Sequence, residues 1–315
     1  MSIDDLILEK RFFAMCVLPV EFSIERTPLL FELNQSLFQS ESAGTFIAEP
    51  FNDFLDNRPQ RETSRAEHRE IVNSALESIA NGSFEKVVVS CIKHVPRGPQ
   101  SLQTIFERLT ERYTNAFVYA LHHPVFGIWM GATPELLLHK QGTSFHTVSL
   151  AGTQPFSDDL HWSDKLQREQ QVVTDFIVEK LSGIRSHAVE LNGPLTAQAG
   201  PLAHLKTDIR FHSDQSSEAI IGELQPTPAV CGLPREAART FIQTHARFER
   251  RLYAGRLGIR FPTGDEIHFV NLRCMQVFDD HFELHVGGGI VEGSNTEEEW
   301  QETEMKADVL RKLLQ

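Results

Sequence analysis

The chain has 315 residues, 41% hydrophobic and 23% charged, and a formal net charge of -13. This composition suits a packed globular body and excludes disorder as the main state, and an acidic chain without a long basic run is not expected to bind nucleic acid, whose phosphates need a basic field. Its four cysteines, Cys16, Cys91, Cys231 and Cys274, form no CxxC pair, which excludes a zinc ribbon or disulfide scaffold and fits a reducing cytoplasm.

In chain order, the first apolar run, 12–20, is about half as long as a bilayer crossing and follows Asp4, Asp5 and Glu9 instead of a basic leader. Neither a membrane span nor a signal peptide is expected. Apolar periodicity predicts a helix over 64–80, stopped by Asn81 and Gly82, then a strand over 86–95 and a helix over 102–113. Strands follow at 116–121, 125–130, 135–139 and 144–150, and a helix at 164–181. The remainder reads as a helix over 234–252, strands at 257–261, 266–277 and 281–286, and a helix over 295–314. Short polar or proline-containing turns at 122–124, 140–143, 262–265 and 279–281 favour antiparallel meanders over βαβ units. Helices must then cover the open sheet faces, so the fold class is α+β, large antiparallel sheets flanked by helices. No repeat or linker divides the chain, and a single domain is expected.

No phosphate-binding GxxxxGK[ST], HExxH or GxSxG motif is present, and Gly287 to Gly289 lack dinucleotide-binding spacing. Kinases, zincins, α/β-hydrolases and NAD enzymes are disfavoured. The segment GGGIVEGSNTEEEWQETEMK, from Gly287 to Lys306, is the most informative. Ser294 and Glu297 have capping-box spacing, which predicts a helix start there. Glu299, Glu302 and Lys306 then share one helix face, either a solvated acidic face or, given the glycine-rich approach, the wall of a ligand site. Glu169 opens a second acidic helix; alone it reads as a surface residue, but with Glu302 it could serve a hard cation such as Mg²⁺. Lys86 begins the apolar run KVVVSCI, either as a strand-edge lysine or as a desolvated amine usable as a base. Glu135 precedes three leucines, either snorkelling to solvent or buried as a proton donor near neutral pH.

These segments resemble, in order and spacing, the chorismate-utilising enzymes, and among them the isochorismate synthases. The matching pieces are KVVVS at 86, GATPELLL at 131, LAGT at 150, KLQREQ at 165, HL at 204, PTPAV at 226, YAG at 253, NLR at 271 and the glycine-rich segment at 287, a match over about 64–315. The resemblance implies that Lys86 is the base for water and Glu135 the acid for a departing hydroxyl. It also implies that Gly152, His204, Ala229, Tyr253, Arg273, Gly288 and Lys306 contact the substrate, with Arg273 gripping a carboxylate. Glu169 and Glu302 resemble magnesium ligands, with Glu299 acting through water. Ala151 stands where relatives forming a covalent adduct carry lysine, and with Lys86 this favours water over ammonia as nucleophile. The implied reaction is Mg²⁺-dependent conversion of chorismate to isochorismate by a cytoplasmic monomer without a glutaminase subunit. Salicylate synthesis and chorismate binding without catalysis remain alternatives. The sequence departs from the family pattern at Leu166, where relatives often have an acid, and at Gln154 and Cys231.

Overall fold

The computed structural model describes residues 11–17, 29–32, 45–51, 57–123, 126–157, 159–199 and 202–315. In chain order the elements are β1 (Arg11–Val17), β2 (Leu29–Glu32), β3 (Thr45–Glu49), α1 (Arg65–Ala80), β4 (Lys86–Pro96), α2 (Leu102–Arg112), β5 (Ala116–His123), β6 (Gly127–Thr133), β7 (Leu136–Gln141) and β8 (Ser144–Pro155). They continue with α3 (Asp164–Gly183), β9 (His187–Ala199), β10 (Leu202–His212), α4 (Ser217–Leu224), β11 (Gly232–Leu233), α5 (Arg235–His245), β12 (Arg256–Arg260), β13 (Glu266–Val270), β14 (Cys274–Val277), β15 (His281–Val291) and α6 (Thr296–Arg311).

The strands form a seven-stranded sheet, β1-β5-β6-β14-β15-β4-β11, and an eight-stranded sheet, β2-β3-β12-β13-β7-β8-β10-β9. Pairing is antiparallel, as the short turns predict, except that β1 lies parallel to β5. A long intervening stretch with two helices permits that crossover. The expected α+β class is therefore observed. The early apolar run falls partly on β1 and otherwise outside the described residues. Among the described residues no helix is long and apolar enough to cross a membrane.

Strand β5 shows why the sheets stack. Its alternate side chains Phe117, Tyr119 and Leu121 enter the core shared with Leu138, Leu257, Ile267 and Phe269 of the other sheet. Ala116 and Val118 point the opposite way, against Ile105 and Leu109 of α2 and Val309 and Leu310 of α6. Period-two alternation therefore puts apolar groups on both faces, so both must be covered. A third cluster packs Ile71, Val72 and Ala75 of α1 and Phe241 of α5 onto Val87, Val89 and Ile290. Helix α1 starts at a capping box in which Ser64 and Glu67 satisfy each other's backbone N–H groups.

Four differences from the sequence reading have physical causes. The 234–252 helix ends at His245 because Ala246 is extended and the fully buried Arg250 draws the chain onto the sheet, donating to the carbonyls of Val88 and Val230 at 2.8 and 2.7 Å. The 266–277 strand is two strands in different sheets; the break lies at Arg273, whose φ of 48° is left-handed. The β9–β10 hairpin differs from that reading because Gly193–Pro194 punctuates β9 like a turn, although Val189, Leu191 and Leu195 alternate along it on an exposed face. The final helix is capped by Asn295, which accepts from the N–H groups of Glu297 and Glu298, while the Ser294 hydroxyl turns back to the Val291 N–H. The expected Ser294 capping box is not formed.

Candidate active site

The chain crosses between the sheets at Asn271 to Arg273, and a buried cavity opens there. Its wall includes Glu135, Gly152, Glu169, His204, Ala229, Tyr253, Arg273 and Lys306, brought from strands, helices and loops across the whole chain. Leu272, Thr153, His285, Gly287 and Gly289 complete much of the lining.

Glu135 lies in the β6–β7 turn, 5% exposed, its backbone carbonyl accepting from Val270 N–H at 3.0 Å. Burial raises its carboxyl to about 7, against the opposing charges of Lys86, Lys306 and Arg273. This agrees with the buried-donor reading and removes the snorkelling one. Lys86 is 1% exposed; β4 lies between β11 and β15, so Lys86 is not an edge lysine. Its Nζ donates to Glu169 Oε1 at 2.8 Å. Lys86 and Glu169 both line a second, outer cleft with Lys165 and Arg168. The Glu169 carboxylate thus stands between Lys86 and the cavity that holds Glu135.

Burial alone would raise Glu169, but the ammonium groups of Lys86, Lys306 and Lys165 hold it below the usual carboxylate range. On α6, Glu302 Oε1 accepts from Lys306 Nζ at 2.6 Å, the pair predicted from the helix spacing. Lys306 Nζ also donates to the Gly287 carbonyl at 2.8 Å. Burial opposes the charge on Lys306, yet Glu302, Glu169 and Glu299 raise its pKa. Glu299 is 2% exposed, so this helix face is not a solvated one. Burial and the charge of Glu302 raise Glu299; its Oε1 accepts from Lys165 Nζ at 3.1 Å, whereas Oε2 is buried without a hydrogen-bond partner.

The glycines make this crowding possible. A Cβ on Gly289 would lie 2.7 Å from Glu169 Oε1 and 2.8 Å from Lys86 Cε. A Cβ on Gly287 would meet the Tyr253 hydroxyl at 2.9 Å, and one on Gly288 would meet Glu299 Oε2 at 3.2 Å. The Cβ direction of Gly288 faces the α6 carboxylates, whereas Gly287 and Gly289 line the cavity, since neighbours on a strand point to opposite faces. Gly289→Ala should lower kcat/KM by at least about tenfold, since displacing the Lys86–Glu169 pair by even 1 Å can cost about a hundredfold. Steady-state kinetics beside a thermal melt would check this, and unchanged kcat/KM would show that the pair can shift freely.

Arg273 and His204 line the same cavity. Arg273 Nη2 lies 2.7 Å from His204 Nε2; guanidinium only donates, so Nε2 accepts and the imidazole is neutral. Nδ1–H is then free to donate to the Gly152 carbonyl, 3.2 Å away. Burial, Arg273 and Lys306 together lower His204 to about 3. Burial lowers Arg273 to about 10, so it remains cationic at neutral pH. His204 sits where the β8–β10 register shifts, which turns the strand edge toward Arg273. Gly152 has φ +72°, and a Cβ there would lie 3.2 Å from the Leu166 carbonyl. Tyr253 is buried, which raises its phenol above its ordinary value.

Lys165, within KLQREQ, joins the site by donating to Glu299 Oε1, a role that residue type alone does not indicate. Its place one helical turn before Glu169 was the available signal. Thr153 and His285 also line the cavity and were missed, although His285 precedes the glycine run by two residues. At the departures, Leu166 packs near Gly152, Gln154 donates to the His161 carbonyl at 3.0 Å, and Cys231 is fully buried.

The cations Arg273 and Lys306 and the protonatable Glu135 line one cavity, which defines a site for a small anionic molecule, beside a carboxylate cluster suited to a hard cation. The chain belongs to the chorismate binding enzyme family, whose model matches residues 15–315. That match reaches further toward the N-terminus than the motifs suggest, in keeping with β1 and β3 pairing into the two sheets. The chain is 30% identical over 261 residues to Isochorismate synthase MenF of Escherichia coli, covering 78% of this chain and 59% of that protein. It is 30% identical to Isochorismate synthase DhbC of Bacillus subtilis, covering 75% and 64%. The chain thus spans about six tenths of the length of these curated relatives. Among solved structures, a putative 2,3-dihydroxybenzoate-specific isochorismate synthase, DhbC, of Bacillus anthracis superposes with TM-score 0.76 at 27% identity, covering 85% of this chain and 82% of that one. Anthranilate synthase component I of Streptococcus pneumoniae, TM-score 0.69 at 20% identity over 88% and 62%, shares the fold.

Proposed function

We propose that this chain is an isochorismate synthase, adding water at C2 of chorismate as the 4-hydroxyl departs. One observation carries the reading: a carboxyl raised to about 7 and a cationic Arg273 line one cavity, with the Lys86–Glu169 pair against it. Near neutral pH, Glu135 is then protonated in a large fraction of molecules and can donate to a leaving hydroxyl. Lys86 is the group assigned to take the proton of the attacking water, for which it must first part from Glu169 and give its own ammonium proton to solvent, so that a neutral amine receives the proton from water. Arg273, aimed by its contact with the neutral His204, offers a planar fork to one substrate carboxylate, and Lys306 neutralises the other.

The donors fit Mg²⁺. Glu169, Glu299 and Glu302 are all-oxygen ligands, and the buried, unpartnered Glu299 Oε2 lacks the partner that such an atom requires. Mg²⁺ held by Glu169 and Glu302, with Glu299 in support, would supply positive charge for the ring carboxylate. At an effective dielectric near 20, opposite charges about 4 Å apart attract by roughly 4 kcal/mol, so cations inside the cavity outweigh the chain's diffuse, salt-screened acidity.

The deciding experiment incubates purified protein with chorismate and Mg²⁺ and resolves the products by chromatography. Isochorismate is the expected product. Salicylate fluorescence would assign the further elimination of pyruvate, and chorismate binding without conversion would assign a binding protein. Glu302→Gln should raise the Mg²⁺ concentration for half-maximal activity by about tenfold or more, since one of few charged ligands is lost. A superimposable Mg²⁺ titration would reassign Glu302 to fixing Lys306.

A further inference from the structure

At the other end of β15, outside the cavity, lies a second cluster. Glu283 pairs in register with His94 of β4, and His281, two residues earlier on β15, projects from the same face. One ligand-type atom from each of the three lies within 4.8 Å of the others. Glu283 Oε1 is 3.6 Å from His281 Nε2 and 3.9 Å from His94 Nε2, and the two imidazole rings are 4.4 Å apart.

Two observations point to a missing ligand. Glu283 is 0% exposed and its Oε2 has no hydrogen-bond partner; His281 Nε2 is buried with no hydrogen bond closer than the 3.6 Å contact to Glu283 Oε1. The surroundings also orient the trio. Asp280 Oδ1 lies 2.6 Å from His281 Nδ1, the carboxylate–histidine arrangement that turns the other ring nitrogen toward a metal. The Gln60 N–H donates to Glu283 Oε1, leaving Oε2 for a ligand. His94 Nε2 is 2.9 Å from the Gln60 carbonyl, a hydrogen bond that would be exchanged for a metal bond. The side chains of His94 and His281 are 29% and 15% exposed, which gives an ion a path in.

We propose that His94, His281 and Glu283 form a transition-metal site, separate from the glutamate cluster, that takes Zn²⁺ and fastens β4 to β15. Two imidazoles and one carboxylate favour Zn²⁺ over the all-oxygen preference of Mg²⁺. Tetrahedral bonds of about 2.0–2.1 Å imply ligand separations near 3.3 Å; Glu283 Oε1 lies 3.6 and 3.9 Å from the two imidazole Nε2 atoms, so the carboxylate has to turn and the three side chains close in around the ion. Water takes the fourth position. The site is structural and does not depend on the chorismate reading.

The test is calorimetric titration of the metal-free, untagged full chain with Zn²⁺ in excess Mg²⁺. The wild type should bind one equivalent that His94→Gln and His281→Gln lose or hold at least tenfold more weakly, while Glu302→Gln retains it. Both histidine variants should keep the wild-type circular dichroism spectrum. No Zn²⁺ uptake by the wild type, or equal affinity in both histidine variants, overturns the proposal. If a variant fails to fold, one equivalent of Cu²⁺ on the wild type should show nitrogen coupling by electron paramagnetic resonance; a spectrum without it overturns the site.

Discussion

Glu135→Gln should reduce turnover by about 10²–10⁴-fold, the usual contribution of a positioned general acid, while making the protein more stable above neutral pH. Glutamine fills the same space but cannot supply the proton. The stability effect follows from linkage. The folded pKa of about 7 lies above the ordinary 4.5, so between these values the folded state binds more protons than the unfolded state. Stability contributed by the neutral carboxyl is therefore fully present below about 4.5 and lost as pH rises through about 7. Well above 7, a shift of this size amounts to about 3 kcal/mol, which the variant avoids. Thermal melts of both proteins at pH 5 and pH 8.5 should thus diverge far more at the higher pH. In the wild type, kcat/KM should fall as pH rises past about 7, and a flat alkaline limb would remove Glu135 as the acid.

Lys86→Ala should reduce turnover on the same scale, about 10²–10⁴-fold, and should also destabilise the chain. It leaves Glu169, whose side chain is only 16% exposed, without the ammonium now 2.8 Å away, and breaking a buried pair costs about 3–5 kcal/mol. Excess Mg²⁺ should recover part of that stability by taking up the exposed carboxylate, with no recovery of turnover. Lys86→Arg separates the two roles: guanidinium can hold Glu169 but cannot act as a base at neutral pH. Stable but inactive Lys86→Arg is the expected outcome. Activity within a few-fold of wild type in that variant would assign Lys86 to positioning Glu169.

Much of the site could be read from local patterns. Glu302 and Lys306 meet as their helix spacing requires. The apolar neighbours of Glu135 foretold a carboxyl kept neutral by burial. The strand periodicity of 86–95 and 116–121 found the strands of one sheet because each has apolar faces to bury. Where such patterning is interrupted, as at Gly193–Pro194 in β9 or at Arg273, the local pattern does not predict the strand. Arg273 shows the limit well: its type suggested carboxylate binding, but its left-handed backbone and the change of sheet beside it are set by packing of both sheets.

The sequence by itself determined the chemical inventory, the α+β class and the order of most elements, because these depend on residue type and on spacing within a few turns of helix or strand. Only the tertiary structure decided that Glu169 stands between Lys86 and the Glu135 cavity, that Lys165 engages Glu299, and that His94 meets His281 and Glu283. Those relations join residues far apart in the chain, and their distances follow from how the sheets and helices pack, which no local pattern encodes.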